Sequence, residues 1–121
     1  MELKTLSFVV PGHPVGYVRT TQKGCRFDKN YKRYQDYKNL VVSEFLAQVP
    51  GDWGSPKPLT SEFKNRTHVS LKIYFKNGIH CDPDNCFKAI ADSLFKCDKY
   101  VSGDFDFDYD KECPRVEVTI R

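Results

Sequence analysis

The chain has 121 residues, a formal net charge of +3, and 40% apolar and 29% charged residues, which excludes a disordered chain and allows a core without disulfide staples. No apolar run approaches the ~20 residues of a membrane span, and the opening Met1–Pro14 stretch is too polar for a secretory leader. One cytoplasmic domain over 1–121, with no membrane association, is the expectation. The five cysteines, Cys25, Cys81, Cys86, Cys97 and Cys113, contain no C-x-x-C pair. Reduced, mostly buried thiols are therefore expected rather than zinc ligands, although His80 adjoins the nearest-spaced pair, Cys81 and Cys86.

Leu3 to Val10 reads as a first strand, stopped by Pro11-Gly12-His13-Pro14. Val15 to Asn30 has weak periodicity and reads as a basic loop or short irregular hairpin. Tyr34, Tyr37, Val41, Phe45 and Leu46 recur at helical spacing, which predicts a helix over about Tyr31–Gln48. The Pro- and Gly-rich run Pro50–Pro58 is a connection. Val69, Leu71, Ile73 and Phe75 alternate with polar neighbours, predicting a strand that Asn77-Gly78 ends. From Asp84, Phe87, Ile90, Ala91 and Leu94 share one helical face and Lys88 and Asp92 another. Ser102-Gly103 breaks this pattern, Asp104–Asp110 alternates strictly, and Val116, Val118 and Ile120 mark a last strand. The fold class expected is a small two-layer α/β (α+β) domain, a mixed β-sheet with two main helices in the order β-α-β-α-β-β.

Charge is unevenly spread. Met1–Leu40 holds eight basic residues against three acidic, whereas Asp98–Glu112 holds six acidic against two basic. Arg19, Lys23, Arg26, Lys29, Lys32 and Arg33 are the candidate DNA-phosphate contacts, with Tyr31 and Tyr34 placed to stack on bases. Binding through them predicts a steep salt dependence, with a log–log slope near −0.9 per neutralised phosphate. The alternative is a solvated loop and a charged helix face.

The run His80-Cys81-Asp82-Pro83-Asp84-Asn85-Cys86-Phe87-Lys88 carries the most chemistry. Asp82 precedes a proline and is biased to extended backbone; Asp84 is then read as the helix N-cap. In the ordinary reading Asp84 caps, Asp82 is merely exposed, and Lys88 pairs with Asp84 or Asp92. In the sharper reading both carboxylates converge on one hard cation, and Lys88 reaches the anion that the cation holds. A calcium loop is excluded, because no glycine or glutamate stands at the positions such a loop needs.

Over a longer span, Asp82-Pro83-Asp84-Asn85-Cys86-Phe87-Lys88-Ala89-Ile90-Ala91-Asp92-Ser93-Leu94 resembles the D-x-D-N-x-x-K-x-x-x-D-x-L core of the RusA family of Holliday junction resolvases. Phe8–Pro14 followed by Arg19 looks like that family's first strand and basic loop, and Val116–Ile120 like its terminal strand. The family's D-D-x-x-V/I segment is placed on Gly103-Asp104-Phe105-Asp106-Phe107, with glycine where the first aspartate is usual. Asp106, two residues on, is the other candidate for the third carboxylate.

The resemblance implies a magnesium-dependent endonuclease, with manganese able to substitute, that nicks four-way DNA junctions as a homodimer. It implies Asp82, Asp84 and Asp104 as catalytic metal ligands, Lys88 as the functional lysine, and Asn85 and Asp92 as supporting residues. It implies no small-molecule cofactor, and a bacterial or prophage source. Lys88 is read as stabilising charge on the phosphorane, and the remainder of the acidic 104–110 strand as facing away from DNA. Alternatives are a branched-DNA-binding protein that has lost the chemistry and a nuclease for other branched DNA.

Overall fold

The computed structural model describes residues 5–17, 29–49, 67–95 and 101–121, with backbone only for Lys29, Asn30, Tyr31 and Thr67. Six elements follow in order: β1 (Leu6–Pro11), α1 (Lys29–Gln48), β2 (Thr67–Phe75), α2 (Pro83–Leu94), β3 (Val101–Tyr109) and β4 (Arg115–Ile120). The strands form one mixed sheet in the spatial order β1-β4-β2-β3. β4 runs antiparallel to both β1 and β2, and β2 runs parallel to β3. This is the two-layer α+β arrangement and element order that the sequence periodicities predict.

Strand alternation selects the face the helices cover. Leu6, Phe8 and Val10 of β1, Val69, Leu71, Ile73 and Phe75 of β2, and Val116, Val118 and Ile120 of β4 are all buried in one cluster. α1 contributes Tyr37, Val41 and Phe45 at helical spacing, and α2 contributes Cys86, Ile90 and Leu94. Phe45 meets Phe8 edge-on, with ring centroids 5.3 Å apart. Leu46, expected on the same stripe, is 44% exposed, because it stands one residue beyond Phe45 and turns off the buried face.

Both outer strands need their unpaired backbone protected. On β1 the side chain of Gln48, at the end of α1, imitates a neighbouring strand. Its Oε1 accepts from Val9 N at 2.9 Å and its Nε2 donates to Val9 O at 2.7 Å. On the other side, β3 alternates aspartates with aromatics and is exposed along nearly its whole length. Charges on an edge strand discourage further strand addition.

Parallel pairing of β2 with β3 requires a crossover, and α2 provides it. The start of α2 therefore follows the carboxyl end of β2, where its first turn projects the Asp82–Asp84 loop. No helix among the described residues is long and apolar enough to cross a membrane.

Candidate metal-binding loop and its cleft

The approach to the loop is fixed by short-range contacts. Asn77 Oδ1 accepts from Ile79 N at 2.9 Å, closing a tight turn after β2. His80 then stacks on Phe75 with centroids 3.8 Å apart and planes 8° from parallel. Its Nδ1 donates to the Cys81 carbonyl at 2.7 Å, and its Nε2 lies 3.0 Å from the Tyr109 hydroxyl. The imidazole thus ties the residue before Cys81 to the ends of β2 and β3.

Asp82 follows with φ −59° and ψ 137°, the extended geometry a residue before proline adopts. Pro83 opens α2, so Asp82 stands at the N-cap and Asp84 within the first turn. The expectation that Asp84 caps the helix is corrected here. Proline suits the first helical position, because its fixed φ matches the helix and its missing N–H is not needed there. The Asp82 side chain makes no capping hydrogen bond; only its carbonyl is engaged, accepting from Cys86 N at 3.1 Å. Asp84 lies where the helix dipole favours negative charge. Both carboxylates are exposed, and neither is spent on holding the loop together.

Lys88 reaches back one turn to Asp84, with Nζ 3.2 Å from Oδ2 and both side chains more than half exposed. An exposed pair of this kind contributes well under ~1 kcal/mol, so a ligand anion can draw the lysine away at little cost. Asp92 has a different role. Its Oδ2 accepts from the Tyr34 hydroxyl at 2.5 Å and pairs with Lys38 Nζ at 2.9 Å, binding α2 to α1. Asp92→Ala is expected to cost about 2 kcal/mol of stability, read by denaturant unfolding, because the Tyr34 hydroxyl and the Lys38 ammonium lose this shared partner. Tyr34, expected to stack on bases, is 1% exposed and belongs to this buried junction instead.

Beside the loop lies an open cleft of about 480 Å³, lined among others by His13, Tyr17, Arg33, His80, Cys81 and Asn85. Its floor is pinned where Tyr17 N donates to the Asn85 carbonyl at 3.0 Å. Gly16 makes that approach possible, since a Cβ there would lie 2.6 Å from Cys81 Cβ. His13 accepts from Lys76 N at 3.1 Å. Burial, and then the electrostatic influence of His80, Arg33 and Lys76, hold His13 below the usual histidine range against an opposing hydrogen bond with Ile79. The cleft therefore brings cationic and hydrogen-bonding groups against the segment that carries the two exposed carboxylates. His13 is not among the residues the sequence singles out; its only signal is the Pro-Gly-His-Pro turn. Tyr17 reads there as one of the aromatics interleaved with the basic residues, and His80 as the start of the acidic run.

Asp104 does not join this loop. Gly103 pairs with Val69 and Asp104 with Ser70, so the two β3 residues face opposite sides of the sheet. The Gly103 side faces α2: a Cβ there would lie 2.8 Å from Phe87 Cε2. Asp104 faces the uncovered side, with Oδ2 3.3 Å from His68 Nε2. Asp106 and Asp108 share its face by alternation, opposite Lys72 and Tyr74, and Asp110 is held by Arg115 at 2.9 Å. Among the described residues, no group of three or more His, Cys, Asp or Glu is placed to hold a metal ion. Asp82, Asp84 and Asp104 are thus not a ready-made triad, and Asp106 fares no better. Ser102-Gly103, read as the end of the helical pattern, lies inside β3; the helix itself already ends at Leu94.

Of the candidate DNA contacts, Lys32 and Arg33 are exposed near the start of α1, and Arg33 also lines the cleft. Lys29 opens α1, its side chain outside the described residues, as are Tyr31's side chain and the whole of Arg19, Lys23 and Arg26. Among the cysteines, Cys86 is buried, Cys81 half-buried and Cys113 exposed, the last against expectation; Cys25 and Cys97 lie outside the described residues. Cys81 Sγ lies 2.7 Å from Cys86 Sγ. That hydrogen bond lowers the Cys81 pKa and, together with burial, raises that of Cys86. Compared with known proteins, the chain matches no family model and no curated protein.

Proposed function

We propose that the chain is a divalent-metal-dependent endonuclease that cuts four-way DNA junctions, acting as a homodimer. One observation carries the reading. Asp82 and Asp84 are exposed at the carboxyl end of β2 with no side-chain capping duty for Asp82, and Lys88 stands one turn away. The residues fit a magnesium or manganese ion in chemistry, since such ions take hard oxygen ligands and are commonly held by one or two carboxylates, with waters and substrate phosphates filling the rest. Bound there, the ion would polarise a phosphoryl oxygen and acidify a water.

The chain's own groups do the remaining work. Asp82 and Asp84 hold the ion. Lys88 leaves its weak pair with Asp84 to meet the charge that develops on the phosphate. Lys32 and Arg33 neutralise neighbouring backbone phosphates, and Arg33 links that basic surface to the cleft beside the loop. A two-fold dimer suits a four-way junction, because a symmetric substrate is matched by a symmetric protein.

The resemblance to the RusA family supports this reading through Asp82, Asp84, Asn85, Lys88, Asp92 and Leu94. Its third carboxylate needs a new position. Gly103 is too tightly held for the aspartate expected there, and Val101 opens β3. The D-D-x-x-V/I pattern then falls on Cys97-Asp98-Lys99-Tyr100-Val101, with Asp98 as the second aspartate. Asp98 lies outside the described residues.

Four-way, flapped and linear duplex DNA, compared at fixed salt with magnesium, test the reading. Symmetric nicking of the junction, abolished by Asp98→Asn and retained by Asp104→Asn, is expected. Tight junction binding without cleavage under any divalent ion would favour the non-cleaving alternative, which gains support from the pairing of only two carboxylates among the described residues.

A further inference from the structure

We infer that Cys81 and Cys86 form a reversible dithiol–disulfide pair that closes a covalent ring around the Asp82–Asn85 loop. The inference stands apart from the nuclease reading, since it concerns only the two thiols and their surroundings. The sulfurs are 2.7 Å apart, whereas a disulfide bond is about 2.05 Å long. Closing it asks the sulfurs to approach by less than about 1 Å. The backbone between them is already held, by Pro83 at the first helical position and by the hydrogen bond from Cys86 N to the Asp82 carbonyl at 3.1 Å.

Accessibility orders the two thiols. Cys81 lines the open cleft and is half-buried, while Cys86 is 1% exposed and packs in the core. An oxidant entering the cleft meets Cys81 first, and Cys86 reacts only through it. With a small dialkyl disulfide such as oxidised glutathione, Cys81 Sγ attacks one glutathione sulfur. The glutathione disulfide bond breaks, a mixed disulfide forms on Cys81, and one glutathione leaves. Cys86 Sγ then attacks Cys81 Sγ and expels the second glutathione. The two protons lost by the cysteines end on the two released thiols, so one disulfide is reduced as one is formed. The ring so closed is small, so loop-closure entropy stabilises the bond less than it would across a longer loop, and Cys81 in the open cleft stays within reach of an attacking thiol.

The geometry also separates this pair from Cys113, which is exposed on the segment before β4. Cys113 is open to glutathione directly, whereas a mixed disulfide on Cys81 has Cys86 beside it to resolve it.

The test is redox titration of the intact chain in glutathione mixtures, quenched with acid, alkylated with iodoacetamide and digested with trypsin. Cleavage after Lys76 and Lys88 gives one peptide, Asn77–Lys88, that holds Cys81 and Cys86 and no other cysteine. On the oxidising side this peptide is expected unalkylated and lighter by two hydrogen atoms, returning to the doubly alkylated form with dithiothreitol. Cys81→Ser, which spares the core, should leave Cys86 unmodified by glutathione until the chain is unfolded. Cys86→Ser, where it folds, should trap glutathione on Cys81. A peptide doubly alkylated at every glutathione ratio would overturn the inference, and so would rapid glutathionylation of Cys86 in folded Cys81→Ser.

Discussion

Asp82→Asn is expected to bind a four-way junction as tightly as the parent chain and to cut it at least ~100-fold more slowly, as measured by gel shift and single-turnover cleavage. The substitution keeps the shape of the side chain and removes only its charge. Asp82 is exposed and makes no capping bond, and asparagine is itself favoured at an N-cap. Folding stability should therefore stay within about 0.5 kcal/mol of the parent. This separates lost chemistry from lost structure. Asp84→Asn should lose activity similarly, while also releasing Lys88 from its pair. Full cleavage by either variant would remove the loop from the mechanism.

Gly103 carries the second large effect. A Cβ there would run into the Val69 carbonyl oxygen and lie 2.8 Å from Phe87 Cε2. The first neighbour is β2 backbone, which cannot swing aside as a flexible side chain would. Gly103→Ala is expected to cost about 3 kcal/mol, lowering the melting temperature by roughly 10–15 °C. Gly103→Asp should fail to fold, since its carboxylate would be driven between β2 and α2 without a partner. Near-parental melting of Gly103→Asp would instead allow an aspartate at this position and return the D-D segment to Gly103-Asp104.

The periodicities made most of the architecture legible. Period-two runs marked β1, β2 and β4, and period-3.6 runs marked α1 and α2, because each element buries one face in a shared core. The alternation in Asp104–Tyr109 revealed a strand but not the direction its aspartates face. That is set by the register Val69↔Gly103, which depends on β2 and on the crossover through α2. Gly103 reads in the sequence as the break that ends the helical pattern; here it is a point of close approach inside a strand. Tyr34 reads both as part of the helical stripe and as a stacking residue; the stripe reading holds, with its ring buried against Tyr17 and its hydroxyl donating to Asp92.

At the site, the acidic pair and Lys88 were local in sequence and therefore readable. The shift of the N-cap from Asp84 to Asp82 follows from one residue, Pro83. The cleft was not readable, because His13, Arg33 and His80 come from three separate segments that only the fold brings together. Which side of the sheet Asp104 faces was not readable for a related reason: it depends on the pairing of β3 with β2.

The most direct measurement is a crystal structure of the protein soaked in manganese, with the ion located by its anomalous signal. Manganese is expected on the carboxylates of Asp82 and Asp84, with Lys88 turned away from Asp84. Manganese seated instead on the Asp104–Asp106–Asp108 face, with the Asp82–Asp84 loop empty, would contradict the proposed site.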